Sequence, residues 1–146
     1  GDDFVDSSRH RGRRVEGFLN DLLAAARDVA PEGLFTYVNF PPTEFLDLSC
    51  FDVASFNVYL HREADLRAYV TRLQHVAGNR PLLLAELGAD SQRQGEAGQA
   101  DLTSMQLRTA FRAGACGARR RERTTCGPFG CLWTSAITAR MRSPWL

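Results

Sequence analysis

Between Arg13 and Ala30 the apolar residues Val15, Phe18, Leu19, Leu22, Leu23, Ala26 and Val29 recur at steps of three and four. That spacing lines one side of a 3.6-residue period and predicts an amphipathic helix, stopped by Pro31-Glu32-Gly33. Leu34-Phe35-Thr36-Tyr37-Val38-Asn39 follows, rich in β-branched and aromatic residues, and predicts a strand. Pro41-Pro42-Thr43 breaks it and opens a loop with room for one helical turn before Leu48. Asp52-Val53-Ala54-Ser55-Phe56-Asn57-Val58-Tyr59 predicts a second strand. Glu63 to Ala77 carries Leu66, Tyr69, Val70, Leu73 and Val76 on one side of a second helix, with Gly78-Asn79 as its stop. Leu82 to Leu87 is a third strand, and a polar, Gly-containing loop runs from Gly88 to Glu96. A third helix, from about Gln99 to Ala113, carries Leu102, Met105, Ala110 and Phe111 and ends at Gly114.

Strands alternating with helices require crossover connections and a parallel sheet, so the fold class is α/β. The loop after the first strand is long enough to serve as a crossover in place of a helix. Three such strands cannot close a barrel, which needs about 250 residues, so the pattern reads as part of something larger.

One segment carries chemistry. In Arg80-Pro81-Leu82-Leu83-Leu84-Ala85-Glu86-Leu87-Gly88-Ala89-Asp90 an apolar run, of the kind buried on both faces of a parallel sheet, meets a carboxylate. A carboxylate is almost never fully buried without a partner, so Glu86 belongs at the strand end, facing a cleft. In α/β barrels the C-terminal strand ends hold the active site. The plainer alternative is a Glu86 that leaves the strand into solvent or meets an arginine.

Composition narrows the rest. The chain has 146 residues and a net charge of +1, which makes no general case for nucleic acid or anionic membrane as partner. All 18 basic residues are arginine, a bias expected of GC-rich coding DNA. No apolar run is long enough to span a membrane. Cys50, Cys116, Cys126 and Cys131 form no zinc-type spacing, so no metal and no cofactor is expected. Cys50 and Cys116 are expected to be inert core thiols in a reducing, cytoplasmic compartment.

Periodicity fails at both ends. Residues 1–12 are expected to be irregular. Residues 119–146 hold six arginines, two cysteines and two tryptophans without a period, and Arg119-Arg120-Arg121-Glu122-Arg123 stands where a fourth strand would be due. That tail reads either as a shifted reading frame or solvated segment, or as a basic nucleic-acid arm; the first is expected. The domain plan is thus an irregular segment 1–12, an α/β unit 13–118 and an Arg-rich tail 119–146.

The middle of the chain resembles the catalytic barrel of glycoside hydrolase family 2, the β-glucuronidase and β-galactosidase group. It is similar as well to the family 2-like barrels found fused to a glycosyltransferase domain. Thr36-Tyr37-Val38-Asn39 looks like that family's fifth strand, and Asp52 through Asn57-Val58-Tyr59 like its sixth. Leu83-Leu84-Ala85-Glu86-Leu87-Gly88-Ala89-Asp90 looks like its seventh. The resemblance implies a partial (β/α)8 TIM barrel, strands five to seven with flanking helices, and a retaining mechanism with a pair of carboxyl groups. Glu86 matches the nucleophile, and Tyr59 the tyrosine whose hydroxyl holds it. Asn39 and Asn57 match positions for sugar hydroxyls, with a loop-capping role as the alternative for each.

The family's general acid, the Glu of an Asn-Glu pair before the first helix, has no counterpart: no Asn-Glu pair occurs in the chain. Trp133-Thr134 is at most a displaced echo of the family's eighth-strand tryptophan. The resemblance therefore implies a truncated glycosidase, nucleophile present and acid missing, acting on a carbohydrate only with the missing barrel half and inactive alone. The rivals are a non-catalytic carbohydrate-binding or scaffold module and a flavodoxin-like interaction domain. The last is disfavoured because no Gly-rich phosphate loop follows a strand.

Overall fold

A computed structural model describes residues 2–89 and 91–120, with side chains from residue 12 to 89 and 95 to 119. The elements in chain order are α1 (Asp2–Val29), β1 (Thr36–Asn39), a short 3-10 turn (Pro41–Thr43) and β2 (Val53–Asn57). Then come α2 (Glu63–Ala77), β3 (Leu82–Leu87), α3 (Ser91–Arg112) and β4 (Gly117–Arg120). The four strands form one sheet in the order β1-β2-β3-β4, and each pairs parallel to the next. The connection between β1 and β2 crosses over with only the 3-10 turn, as the sequence pattern requires.

Period two sorts the strand residues onto two faces. Tyr37, Ala54 and Leu82 lie in register on one face, followed by Phe56 and Leu84. On that face Ala54, Phe56, Leu82, Leu84 and Leu87 form one buried cluster with Leu66, Val70, Leu73 and Ala77 of α2 and Ala110 of α3. Leu19 and Leu23 of α1 form a second cluster with Phe51, Phe35 and Tyr37. All three helices thus pack on the same side of the sheet. The other face presents Thr36, Val38, Val53, Ser55, Leu83 and Gly117, at successive register positions. There a Cβ on Gly117 would lie 2.8 Å from Leu83 Cδ1, so the glycine lets β4 approach β3 with its leucine undisturbed.

Several expectations are corrected. Residues 2–12 are not irregular; they extend α1, whose first turns carry no apolar stripe by which a periodic pattern would show them. Helical structure begins at Ser91 rather than near Gln99, and Gly95, at φ 68°, interrupts it, a conformation glycine adopts without steric cost. The fourth strand exists: Gly117–Arg120 pairs with β3, so the sheet has four described strands and the boundary at 118/119 falls inside one of them. Its arginines hide it in the sequence, because parallel pairing is made by backbone groups and leaves no apolar pattern. The Leu82–Leu87 strand is fully buried on one face only; Leu83 and Ala85 are half-buried. Cys50 and Cys116 are exposed, not core thiols; partial burial of the Cys116 sulfur still pushes its thiol up, keeping it protonated at neutral pH. Expectations for residues 121–146, among them Cys126, Cys131 and Trp133-Thr134, lie outside the described residues.

The start of β2 is latched to α1 and β1. Arg27 donates to both carboxylate oxygens of Asp52 at 2.9 and 3.1 Å, and the Phe35 N–H donates to Asp52 Oδ2 at 2.8 Å. The Asp52 N–H returns a bond to the Phe35 carbonyl at 3.0 Å. The Phe35 amide first, and Arg27 second, hold the Asp52 carboxyl below its ordinary value. A carboxyl depressed by folding contributes stability above its unfolded pKa, and that contribution is lost as pH falls through the folded pKa. Wild type is therefore expected to be more stable than Asp52→Asn above about pH 5, with the gap closing as pH falls below about 4. Urea midpoints for both proteins across that range check this; a gap independent of pH would mean the latch works without ionisation.

Candidate functional site

Because all four strands run the same way, their C-terminal ends share one rim of the sheet. Asn39 ends β1, Asn57 ends β2, Tyr59 follows two residues later, and Glu86 stands one residue before the end of β3. Strict alternation would send Glu86 to the helix-packed face with Leu82 and Leu84. Instead the pairing slips: Phe56 is opposite Leu84, and the next residue, Asn57, is opposite Glu86. Leu87 rejoins the buried cluster of Leu82 and Leu84. The irregularity at Ala85-Glu86 thus turns Glu86 out of the core, to the position beside Asn57, while Leu87 keeps the apolar face intact. Bulges of this kind commonly re-aim a side chain next to a functional site.

The Tyr59 hydroxyl donates to Glu86 Oε2. A phenol against one carboxylate oxygen is a charge-assisted hydrogen bond that holds the group's orientation. The backbone reinforces the juxtaposition, since the Val58 N–H donates to the Glu86 carbonyl at 2.8 Å. Asn57 is half-buried, and its Oδ1 is buried with no hydrogen-bond partner among the described residues. A buried amide oxygen left unpaired is costly, and it leaves an acceptor at the rim beside Glu86.

Asn39 is placed differently. It is opposite Phe56, on the helix-packed face, and only 2% exposed. Its Oδ1 accepts from the Phe40 N–H at 2.9 Å and from the Thr43 hydroxyl, so it caps the 3-10 turn. Of the two roles open to it from sequence, the geometry matches loop capping. Asn39 also borders a cavity of about 200 Å³ with Tyr37, Ser49, Phe51, Phe56 and Arg80. That cavity lies beneath the β1–β2 connection and includes neither Glu86 nor Tyr59. The structure therefore brings together Glu86, Tyr59 and Asn57, and leaves Asn39 apart.

A second carboxylate cluster stands on the helix layer. The Tyr69 hydroxyl and Arg72 both donate to Glu44, and the Arg72 guanidinium sits 5.1 Å from the Tyr69 ring centre. Burial, then its hydrogen bond to Glu44, pushes the Tyr69 phenol up, so it stays protonated. The group ties the β1–β2 connection to α2. No sequence pattern announced it, because Glu44 lies in an irregular loop. Among the described residues no group of His, Cys, Asp and Glu is arranged to hold a metal ion. No helix among them is long and apolar enough to cross a membrane. Compared with family models, with curated proteins and with solved structures, the chain finds no match.

Proposed function

We propose that the described sheet is an arc of a TIM-type barrel and that Glu86 is the nucleophile of a retaining glycoside hydrolase. The observation that carries this reading is the Tyr59 hydroxyl on the Glu86 carboxylate, at the C-terminal ends of neighbouring parallel strands. Strands in sequential order with all packed helices on one face suit a singly wound barrel; a doubly wound sheet would carry helices on both. In the proposed reaction a Glu86 oxygen forms a bond to the anomeric carbon as the bond to the leaving oxygen breaks. The leaving oxygen takes a proton from an acid that the rest of the barrel would bring to the opposite side of the bond, and water then cleaves the glycosyl ester. Asn57 Oδ1 would accept from a sugar hydroxyl beside the reacting carbon. A carbohydrate-binding or scaffold module without catalysis is the second reading, favoured by the lack of any Asn-Glu pair in the chain.

The test is covalent capture. Activated 2-deoxy-2-fluoro glycosides stall at the glycosyl ester and need little help from an acid. In a polypeptide that closes the barrel around this sheet, they are expected to label Glu86 in peptide mass spectra. Tyr59→Phe should slow labelling by roughly tenfold or more, the loss of a hydrogen bond to a charged group. Label on another carboxylate, or binding of sugar with no label at any concentration, would favour the second reading.

A further inference from the structure

We propose that Gln106 is a positioning residue for the Tyr59–Glu86 pair, acting from α3 through the backbone carbonyl of Leu60. The inference rests on that pair being the functional centre. Gln106 is 0% exposed, in the middle of a helix face that also buries Thr103, Thr109 and Ala110. Its Nε2 donates to the Leu60 carbonyl at 2.8 Å, across 46 residues of chain. Leu60 directly follows Tyr59 in the connection from β2 to α2, which has no regular structure of its own. Tyr59 is thus held between two fixed points: Val58, bonded to the Glu86 carbonyl at 2.8 Å, and Leu60, bonded to Gln106. With both neighbours tied, the backbone at Tyr59 is held and the direction in which its side chain leaves the chain is set, and its hydroxyl reaches Glu86.

The chemistry of the position argues against a purely structural role. Gln106 buries an amide whose Oε1 finds no partner among the described residues, and Thr103, one turn earlier, buries a hydroxyl in the same state. Desolvating an unpaired polar group is unfavourable, so methionine, of similar length and volume, would fill the site at least as well. What glutamine adds over methionine is the hold on Leu60.

The experiment uses the 146-residue chain with its three tyrosines, Tyr37, Tyr59 and Tyr69, replaced by 3-fluorotyrosine and followed by fluorine NMR. Tyr59→Phe assigns the Tyr59 signal, and Glu86→Gln gives its position without the carboxylate. Gln106→Met is expected to move the Tyr59 signal most of the way to that position. It should leave Tyr37 and Tyr69 in place and the urea midpoint unchanged or raised. An unmoved Tyr59 signal overturns the proposal. A Gln106→Met that does not fold would also overturn it, since the argument requires methionine to be tolerated. In the wild type, Gln106 side-chain amide protons in fast exchange with water would do the same. In a closed-barrel form, Gln106→Met should lower kcat about tenfold with KM unchanged, and Tyr59→Phe/Gln106→Met should be no slower than Tyr59→Phe. The two ideas fail separately. A shifted Tyr59 with no label on Glu86 removes the glycosidase and keeps the positioning; a labelled Glu86 with Tyr59 unmoved does the reverse.

Discussion

In a closed-barrel form, Glu86→Ala is expected to lower glycoside hydrolysis on the order of 10⁴-fold or more, and sodium azide is expected to restore much of the loss. Removing a group that forms the covalent intermediate has effects of that order, because every turnover passes through it. Alanine leaves a space where the carboxylate stood. An azide ion can enter it and form a carbon–nitrogen bond at the anomeric carbon as the carbon–oxygen bond breaks, so a glycosyl azide should be recovered. The control is Glu44→Gln. Glu44 is also a hydrogen-bonded carboxylate, but its partners are Tyr69 and Arg72 on the helix layer. It should cost stability and leave the rate nearly unchanged. Full activity of Glu86→Ala without azide would remove Glu86 from the mechanism, and equal losses in both variants would mean that the assay reports folding.

What could be read from residues alone divides along a physical line. The strand at Leu82–Leu87 and the helix at Glu63–Ala77 lie where the apolar spacing put them. Both are buried against each other, so burial and spacing carry the same information. The apolar stripe of α1 was legible as a helix but not as a surface. Leu19 and Leu23 are 7% exposed, whereas Phe18 and Leu22 are 62% and 51%, because the helix meets the sheet along one narrow line. β4 carries no apolar pattern in the sequence, since backbone pairing needs no apolar side chain. The pairing of Tyr59 with Glu86 was anticipated only through a resemblance. The slip in register that makes it possible leaves no trace in composition: Ala85-Glu86 reads as two ordinary strand residues, and only the partner strand reveals the extra one. Gln106 was hidden in the same way, as a polar residue in a helix whose partner is a backbone carbonyl far away in sequence.

Leu84→Ala is expected to destabilise the fold by about 2–5 kcal/mol, the cost of emptying a leucine site that cannot collapse. Leu84 is 0% exposed, in the third strand, with Phe56 at its register position on β2 and Ala118 on β4. Above it stand Leu66, Val70 and Leu73 of α2 and Ala110 of α3, all in the same cluster. Both strands and both helices are fixed by other members of that cluster, so none can move into the void without uncovering another side chain. Set against the 5–15 kcal/mol that ordinary domains have in total, a loss of this size leaves little margin. Urea titration followed by circular dichroism should show a lower midpoint at unchanged slope. Val29→Ala is the matched comparison: Val29 ends α1 at 87% exposure, and its substitution should stay within about 0.5 kcal/mol. The expected difference between two single-residue truncations separates this sheet from a loosely collapsed chain, in which Leu84 and Val29 would cost nearly the same. Comparable small losses, with a broad transition in both variants, would mean that the four strands and three helices do not pack as one cooperative core.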